Sequence, residues 1–251
     1  MGFLANVELG DRGDLVRAKV AKAMPGLEIA AYWQAIAEST TDSQRRLLSY
    51  MVSALLARGW MQPLERVLES AEQTLGESPE DLKRDCDALV AFDLLTVDGS
   101  KVTGLAGLIS TKPTGLVFKF GGQTEVALLG PLAALAVGRA LQKNGEVRAV
   151  CAEDRTTKLL LKCDNQGVED RDPNEICAFF PAWDGESSPT HATASAVLLR
   201  DDEALGRWQE KAGEPDGMPL SALFFPMAAA DLAMQVGAAL ETVLNHLPDF
   251  D

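Results

Sequence analysis

The run Gly115-Leu116-Val117-Phe118-Lys119-Phe120-Gly121-Gly122, followed by the segment Ala127 to Leu141, decides the architecture. Leu116 to Phe120 reads as a strand, and the glycine pair after it as a turn. Ala127 to Leu141 is small and apolar nearly all round, which predicts a helix buried on every side. Such a helix needs cover, and the downstream sequence supplies it. Val147 to Ala152 and Lys158 to Lys162 read as two strands joined around Asp154-Arg155. Asn165-Gln166-Gly167 turns into Val168-Glu169-Asp170, and Ile176 to Phe180 and Ala194 to Leu199 read as further buried strands. Asp201-Asp202 caps a helix through Trp208 to Lys211, Gly213 to Pro219 reads as a loop, and Ala228 to His246 as a closing helix.

Upstream of Gly104 the chain reads as helical. Leu15, Val16, Ala18, Val20 and Ala21 begin an amphipathic stretch that Pro25-Gly26 ends, and Leu27 to Ala37 forms another, with Ile29, Tyr32, Trp33 and Ile36 at helical spacing. Thr41 or Asp42 caps a third, with Leu47, Leu48, Met51, Leu55 and Leu56 as its stripe and Gly59 as its stop. Leu64, Val67, Leu68 and Leu75 belong to a short helix. Ser78-Pro79-Glu80-Asp81 starts the next: a capping serine, proline at the first helical position, then acids in the first turn. Leu94 to Val97, the turn Asp98-Gly99 and Lys101 to Thr103 form a hairpin. Helices followed by a small hairpin describe a winged-helix-like unit. The expected organisation is an α+β chain: an N-terminal helical extension over 1–40, the winged-helix-like unit over 41–103, and a mixed-sheet core domain over 104–251.

A winged helix invites a DNA-binding reading, and the charges argue against it. The recognition helix would be Pro79 to Phe92, whose Glu80, Asp81, Lys83, Arg84, Asp85 and Asp87 are net negative. Readers of bases and phosphates are Arg, Lys, Asn and Gln. The whole 251-residue chain carries a formal net charge of −14, a surface that repels phosphate backbones. No nucleic-acid partner is expected, and a structural or dimerising role fits this unit better, so a homodimer is among the assemblies it is compatible with. No apolar run is long enough to span a bilayer, since Val126 to Ala140 is interrupted by Gly130 and Pro131 and contains Arg139. The opening Met-Gly-Phe-Leu is followed by Glu8, Asp11 and Asp14, which does not read as a secretory signal. A cytoplasmic acidic protein without membrane partners is expected.

Cys86, Cys151, Cys163 and Cys177 show no C-x-x-C spacing, and only His191 and His246 are available beside them. A zinc site of usual spacing is not expected, and in the cytosol these are reduced thiols. No glycine-rich nucleotide motif and no nucleophile-elbow motif occurs, so no cofactor is expected.

The blocks Gly115-Leu116-Val117-Phe118, Leu128 to Val137, Val147 to Cys163, Val168-Glu169-Asp170-Arg171-Asp172-Pro173 and Asp202-Glu203-Ala204 through Trp208 follow one another in a characteristic order. In that order and spacing the chain resembles the alkylmercury (organomercurial) lyases, over roughly Gly104 to Trp208, with the winged-helix-like unit matching more loosely. The resemblance implies their fold. Their chemistry depends on two cysteines and an aspartate, and here the resemblance breaks. A C-A-L-D pattern opens the family's buried helix, and aligning it puts Gly130 at the cysteine and Ala133 at the aspartate. The second cysteine begins a C-x-H-x-H-F-F strand. Counting back from Trp208 puts Thr193 at that cysteine, Ser195 and Val197 at the histidines, and Leu198-Leu199 at the phenylalanines. Cys151 falls on the family's hairpin cysteine, a structural position.

Cleaving a carbon–mercury bond needs soft thiolates to hold the metal and an acid to protonate the leaving carbon. Glycine, alanine and threonine supply neither, so the resemblance implies that family-type lysis is absent. Three readings stay open. The first is a degenerate active site that binds a small molecule or a protein partner, in a pocket of Leu129, Gly130, Ala133, Thr193, Ser195 and Val197. The second is an enzyme of another reaction class reusing that pocket, with His191, Thr193 and Ser195 as catalytic candidates. The third is thiol-based metal handling through Cys151 and Cys177, which sequence order allows to approach each other across a sheet. Trp183 is the tryptophan best placed to wall the pocket.

Overall fold

The computed structural model describes residues 26–121, 124–182 and 194–248, and its α+β architecture holds seven helices and two antiparallel sheets among them. Helix α1 (Gly26–Ser39) buries Trp33. Helix α2 (Asp42–Arg58) starts at a capping box: the Thr41 hydroxyl accepts from the Gln44 amide, and the Gln44 side chain accepts from the Thr41 amide. It ends at Gly59 in the left-handed conformation. Helix α3 (Leu64–Leu75) and helix α4 (Pro79–Ala91) pack beneath it, the latter started by Ser78, whose hydroxyl accepts from the Asp81 amide. Strands β1 (Leu95–Asp98) and β2 (Lys101–Leu105) form the expected hairpin, and Pro63 bridges to Lys101 at its edge.

This hairpin does not stand apart. The chain turns at Ala106 and Gly107, both left-handed, into the short strand β3 (Ile109–Ser110). Strand β3 pairs with β5 (Thr124–Leu128), which pairs in turn with β4 (Val117–Phe120). Strands β6 (Gly145–Val150), β7 (Lys158–Asp164) and β8 (Gly167–Asp172) complete one eight-stranded sheet in the order β1-β2-β3-β5-β4-β6-β7-β8. The second sheet has β9 (Cys177–Pro181) at its centre, flanked by β10 (Val197–Leu199) and β11 (Gly217–Leu220).

Helix α5 (Pro131–Leu141) is the buried helix read from the sequence. It packs against α7 (Phe225–Val243) and against the sheet face that carries Phe118, Val147, Leu161 and Cys163. Contact is close enough that a Cβ on Gly138 would lie 2.5 Å from the Asp164 carbonyl oxygen, so only glycine lets the helix approach the end of β7. Helix α6 (Asp202–Lys211) covers the second sheet, with Trp208 tilted against Phe179 at 5.1 Å between ring centroids. Helix α1 lies along α7, which ties the start of the described chain to its end.

Four elements differ from the sequence reading, the first being the two-residue β3, which it did not contain. The apolar run expected to be helical from Ala127 begins as strand: β5 runs to Leu128 and the helix starts only at Pro131. Proline at the first helical position has no amide to lose there and disfavours helical geometry in the residue before it, so Gly130 stays extended at φ −176°. The expected loop Gly213 to Pro219 contains β11, where Pro219 is accommodated because the strand is at an edge. The expected strand Ala194 to Leu199 is shorter, starting at Val197.

Candidate functional site

The extended Gly130 and the start of α5 form one wall of a cleft of about 180 Å³. The opposite wall is the chain entering β10, with Ala194, Ala196, Val197 and Leu198, and the floor is built from Leu116, Leu129 and the end of β6. Of the pocket residues read from the sequence, Leu129, Gly130 and Val197 line this cleft together. Ala133 is fully buried one turn into α5 and does not line it. Ser195 is exposed beside Ala194 at the cleft's rim. Thr193, His191 and Trp183 lie outside the described residues.

Among the described side chains of the walls only Thr114 is polar, and exposed backbone supplies the rest of their polarity. Thr114 is their one hydroxyl, and its side chain donates to Leu128 O at 2.7 Å, lies 3.1 Å from Leu116 O and accepts from Leu116 N at 3.3 Å. The Leu129 amide donates to Leu108 O at 2.8 Å and the Ala152 amide to Leu198 O at 3.0 Å. Gly115, Ala149 and Val150 also border a wider trough on the open face of the large sheet, where Arg148 and Glu125 face each other at 3.6 Å. The sequence reading missed Thr114 and the end of β6 as parts of the site. They lie outside the family's catalytic motifs: the bond of Thr114 to Leu128 O and the pairing of β4 with β5 bring Thr114 to Gly130, and the pairing of β4 with β6 brings the end of β6.

The bond from Ala152 to Leu198 also stitches the two sheets together, and a polar knot secures this seam. The Asp154 carboxylate accepts from the Thr156 amide at 2.8 Å, the Thr157 amide at 2.9 Å and the Thr157 hydroxyl at 2.7 Å, and it pairs with Arg200. Backbone amides of Thr157 and then Thr156, followed by the Thr157 hydroxyl, hold Asp154 well below the usual carboxylate range. Arg200 also bonds Asp201 at 3.1 Å, and Asp201 caps α6 by accepting from the Ala204 amide at 2.6 Å.

Cys151 and Cys177 sit behind the seam, both fully buried. Strand pairing brings them to one region: the Ala152 amide bonds Leu198 O, and Leu199 pairs with Cys177. The Cys177 thiol donates to Asp201 O at 3.1 Å. Burial first, and then the acids Asp202 and Asp201, push it up to about 12, so it is a protonated thiol at neutral pH. Metal capture requires thiolates. Cys163 is likewise pushed up to about 12, by burial and by Asp164, and Cys86 to about 11, by burial and by Asp87. Among the described residues no group of three or more His, Cys, Asp and Glu side chains converges as metal ligands would. No helix among them is long and apolar enough to cross a membrane.

Comparison with known proteins finds no matching family model and no matching curated protein. Solved structures do match. One is the mercury-bound form of MerB2, with a TM-score of 0.65 and 15% sequence identity over 85% of this chain and 99% of that one. At that identity the likeness establishes a fold, and the fold is MerB-like, as the resemblance to the alkylmercury lyases implied.

Proposed function

We propose that this chain is a MerB-like fold without carbon–mercury lyase activity, which binds a small molecule in the cleft beside Gly130. The observation that carries the reading is the cleft itself. About 180 Å³ stays open between the start of α5 and the approach to β10, where Leu129, Gly130 and Val197 meet. The cleft opens to solvent past Gly115, Val150 and Ala194, so a small molecule reaches it without rearrangement of the fold. Glycine and alanine at positions 130 and 133 remove a thiol and a carboxylic acid from the reaction the family performs, so binding outlives catalysis in this reading. A protonated, fully buried Cys177 makes the thiol pair a poorer account of the same region.

Gly130→Phe tests it. In a binding cleft the ring fills free space, and the melting temperature stays within about 2 °C of the parent, the shift expected for well under 1 kcal/mol in a chain of this size. In a closed core the same ring overpacks and costs about 1–3 kcal/mol, seen as a clear fall in melting temperature. That fall would remove the small-molecule reading and favour a protein-interaction role. Methylmercury and phenylmercury incubated with the unaltered chain should release methane and benzene no faster than without protein. Faster release, abolished by substitutions in this cleft, would overturn the non-lyase part.

A further inference from the structure

The trough on the open face of the large sheet holds two charges that the fold does not use. Helices α5 and α7 cover the sheet face that carries Phe118, Val147 and Leu161. On the opposite face the register places Val117, Arg148, Leu160 and Asp172 in one row across β4, β6, β7 and β8, with Val150 opposite Lys158 in the next row. The trough there measures about 570 Å³, inside the range of about 300–1,000 Å³ that small-ligand sites occupy. It is open to solvent, and its floor residue Val150 is 47% exposed.

Its charged groups divide into committed and free. Arg148 is shared between Glu125 at 3.6 Å and Glu146 at 3.2 Å, and this cluster bounds the β5 end. At the β7–β8 end, Lys158 and Asp172 make no ion pair and no side-chain hydrogen bond among the described residues. They are diagonal neighbours, since Asp172 lies opposite Leu160 and Lys158 stands two residues before Leu160 on the same strand. The spacing of such neighbours, about 7–8 Å, leaves room between them for a molecule with one charge of each sign. Val117, Val150 and Leu160 supply an apolar floor leading away from the pair. One free cation, one free anion and an apolar strip complement a zwitterion with an aliphatic tail. Such a ligand has no net charge to be repelled by a chain of net charge −14. A protein partner fits less well. The trough spans five strands, about 19 Å at about 4.8 Å per strand, and two side-chain rows, well short of the about 800 Å² each side of a standard interface buries.

We propose that this trough, separate from the cleft and independent of what the cleft binds, is a site for a free aliphatic amino acid about the size of leucine. The ligand's ammonium pairs with the Asp172 carboxylate, its carboxylate with Lys158 Nζ, and its side chain lies over Leu160 and Val150 toward Val117.

The test titrates the full chain, followed by NMR, with leucine, glycine, isocaproate (leucine without its amino group) and isoamylamine (leucine without its carboxylate). Leucine should saturate at millimolar concentration and bind at least fivefold more tightly than the other three. Lys158→Gln and Asp172→Asn should each weaken leucine fivefold or more, and because both side chains are exposed neither variant should lose its fold. Gly130→Phe, in the cleft, should leave leucine affinity unchanged. Leucine binding that survives both trough variants but is lost in Gly130→Phe would put the ligand in the cleft and overturn the proposal. Isocaproate or isoamylamine binding as tightly as leucine, or no saturation by leucine at millimolar concentration, would overturn it as well. None of these results bears on the cleft's own ligand unless Gly130→Phe also lowers the melting temperature, so the two readings fail separately.

Discussion

Trp33 and Gly107 meet at the closest approach in the N-terminal half of the fold. A Cβ built on Gly107 would lie 2.2 Å from the Trp33 ring, and the backbone there is left-handed at φ 62°. Both conditions demand glycine. Gly107→Ala should cost about 2–4 kcal/mol, the sum of left-handed strain and overpacking, read from chemical denaturation. In a Trp33→Leu background the same substitution should cost distinctly less, because the steric part is gone while the backbone part remains. Equal costs in the two backgrounds would show that the ring does not press on the turn. Asp154 offers a second test. Its carboxyl is depressed in the folded chain by the Thr157 and Thr156 amides, so its stabilisation is fully present above the unfolded pKa of about 4. It is lost as pH falls through the folded value. Asp154→Asn should therefore lower the melting temperature at neutral pH, and the gap to the parent should narrow on acidification from about pH 5 to about pH 2. A gap that does not change with pH would mean the carboxylate's charge contributes nothing to the seam.

At the scale of elements, we propose that the arrangement of α2, α3, α4 and the β1–β2 hairpin does not read nucleic acid, and the charges of α4 support that reading. Its outward residues include Glu80, Lys83, Arg84 and Asp87. Arg84 is tied to Asp81 at 2.8 Å, while Asp85 is turned inward and accepts from the Ser43 hydroxyl. Outward acids thus match the outward cations Lys83 and Arg84, which is a poor surface for a phosphate backbone. Duplex DNA at physiological ionic strength should give no salt-sensitive anisotropy change at protein concentrations up to about 10 µM, given that even non-specific binders reach dissociation constants of about 1–100 µM. A sub-micromolar, salt-sensitive isotherm would restore the DNA-binding reading. Helix α5 carries the opposite lesson. Its burial was legible from an apolar run with no polar face, but its start was not, because the run continues backward through Leu128 into a strand. Only Pro131 marks the boundary, and apolar periodicity does not register it.

For the molecule as a whole, the sequence held the α+β class, the four helices from Gly26 to Ala91 and the central β6–β7 pair, because each has a strong local period or a capping signal, while the stretch read as helical from Leu15 to Ala21 lies outside the described residues. Three strands failed to show: β5, hidden in an apolar run that continues into α5, and β3 and β11, which are two and four residues long and pair with distant partners. Local pattern has no access to such pairings. The candidate site was legible in part for the same reason. Leu129, Gly130 and Val197 were reachable by sliding along known blocks. Thr114 and Ala149 join them only because β4 pairs with both β5 and β6, and that closure is a property of the finished sheet. The thiols divide similarly: proximity of Cys151 to Cys177 was foreseeable from strand order, whereas their complete enclosure and the protonated state of Cys177 depend on α6 and its acids.

The strand β3 is only two residues long, yet it is the rivet between the early hairpin and everything that follows. On one side Gly104 and Leu105 pair with it, and on the other Ala127 and Leu128 do. The turn that Trp33 presses is joined to it directly, and the Leu108 carbonyl holds the Leu129 amide at the floor of the cleft. From the indole ring to the cleft's floor the path is therefore short: one turn and one hydrogen bond separate the helical side of the described chain from Leu129.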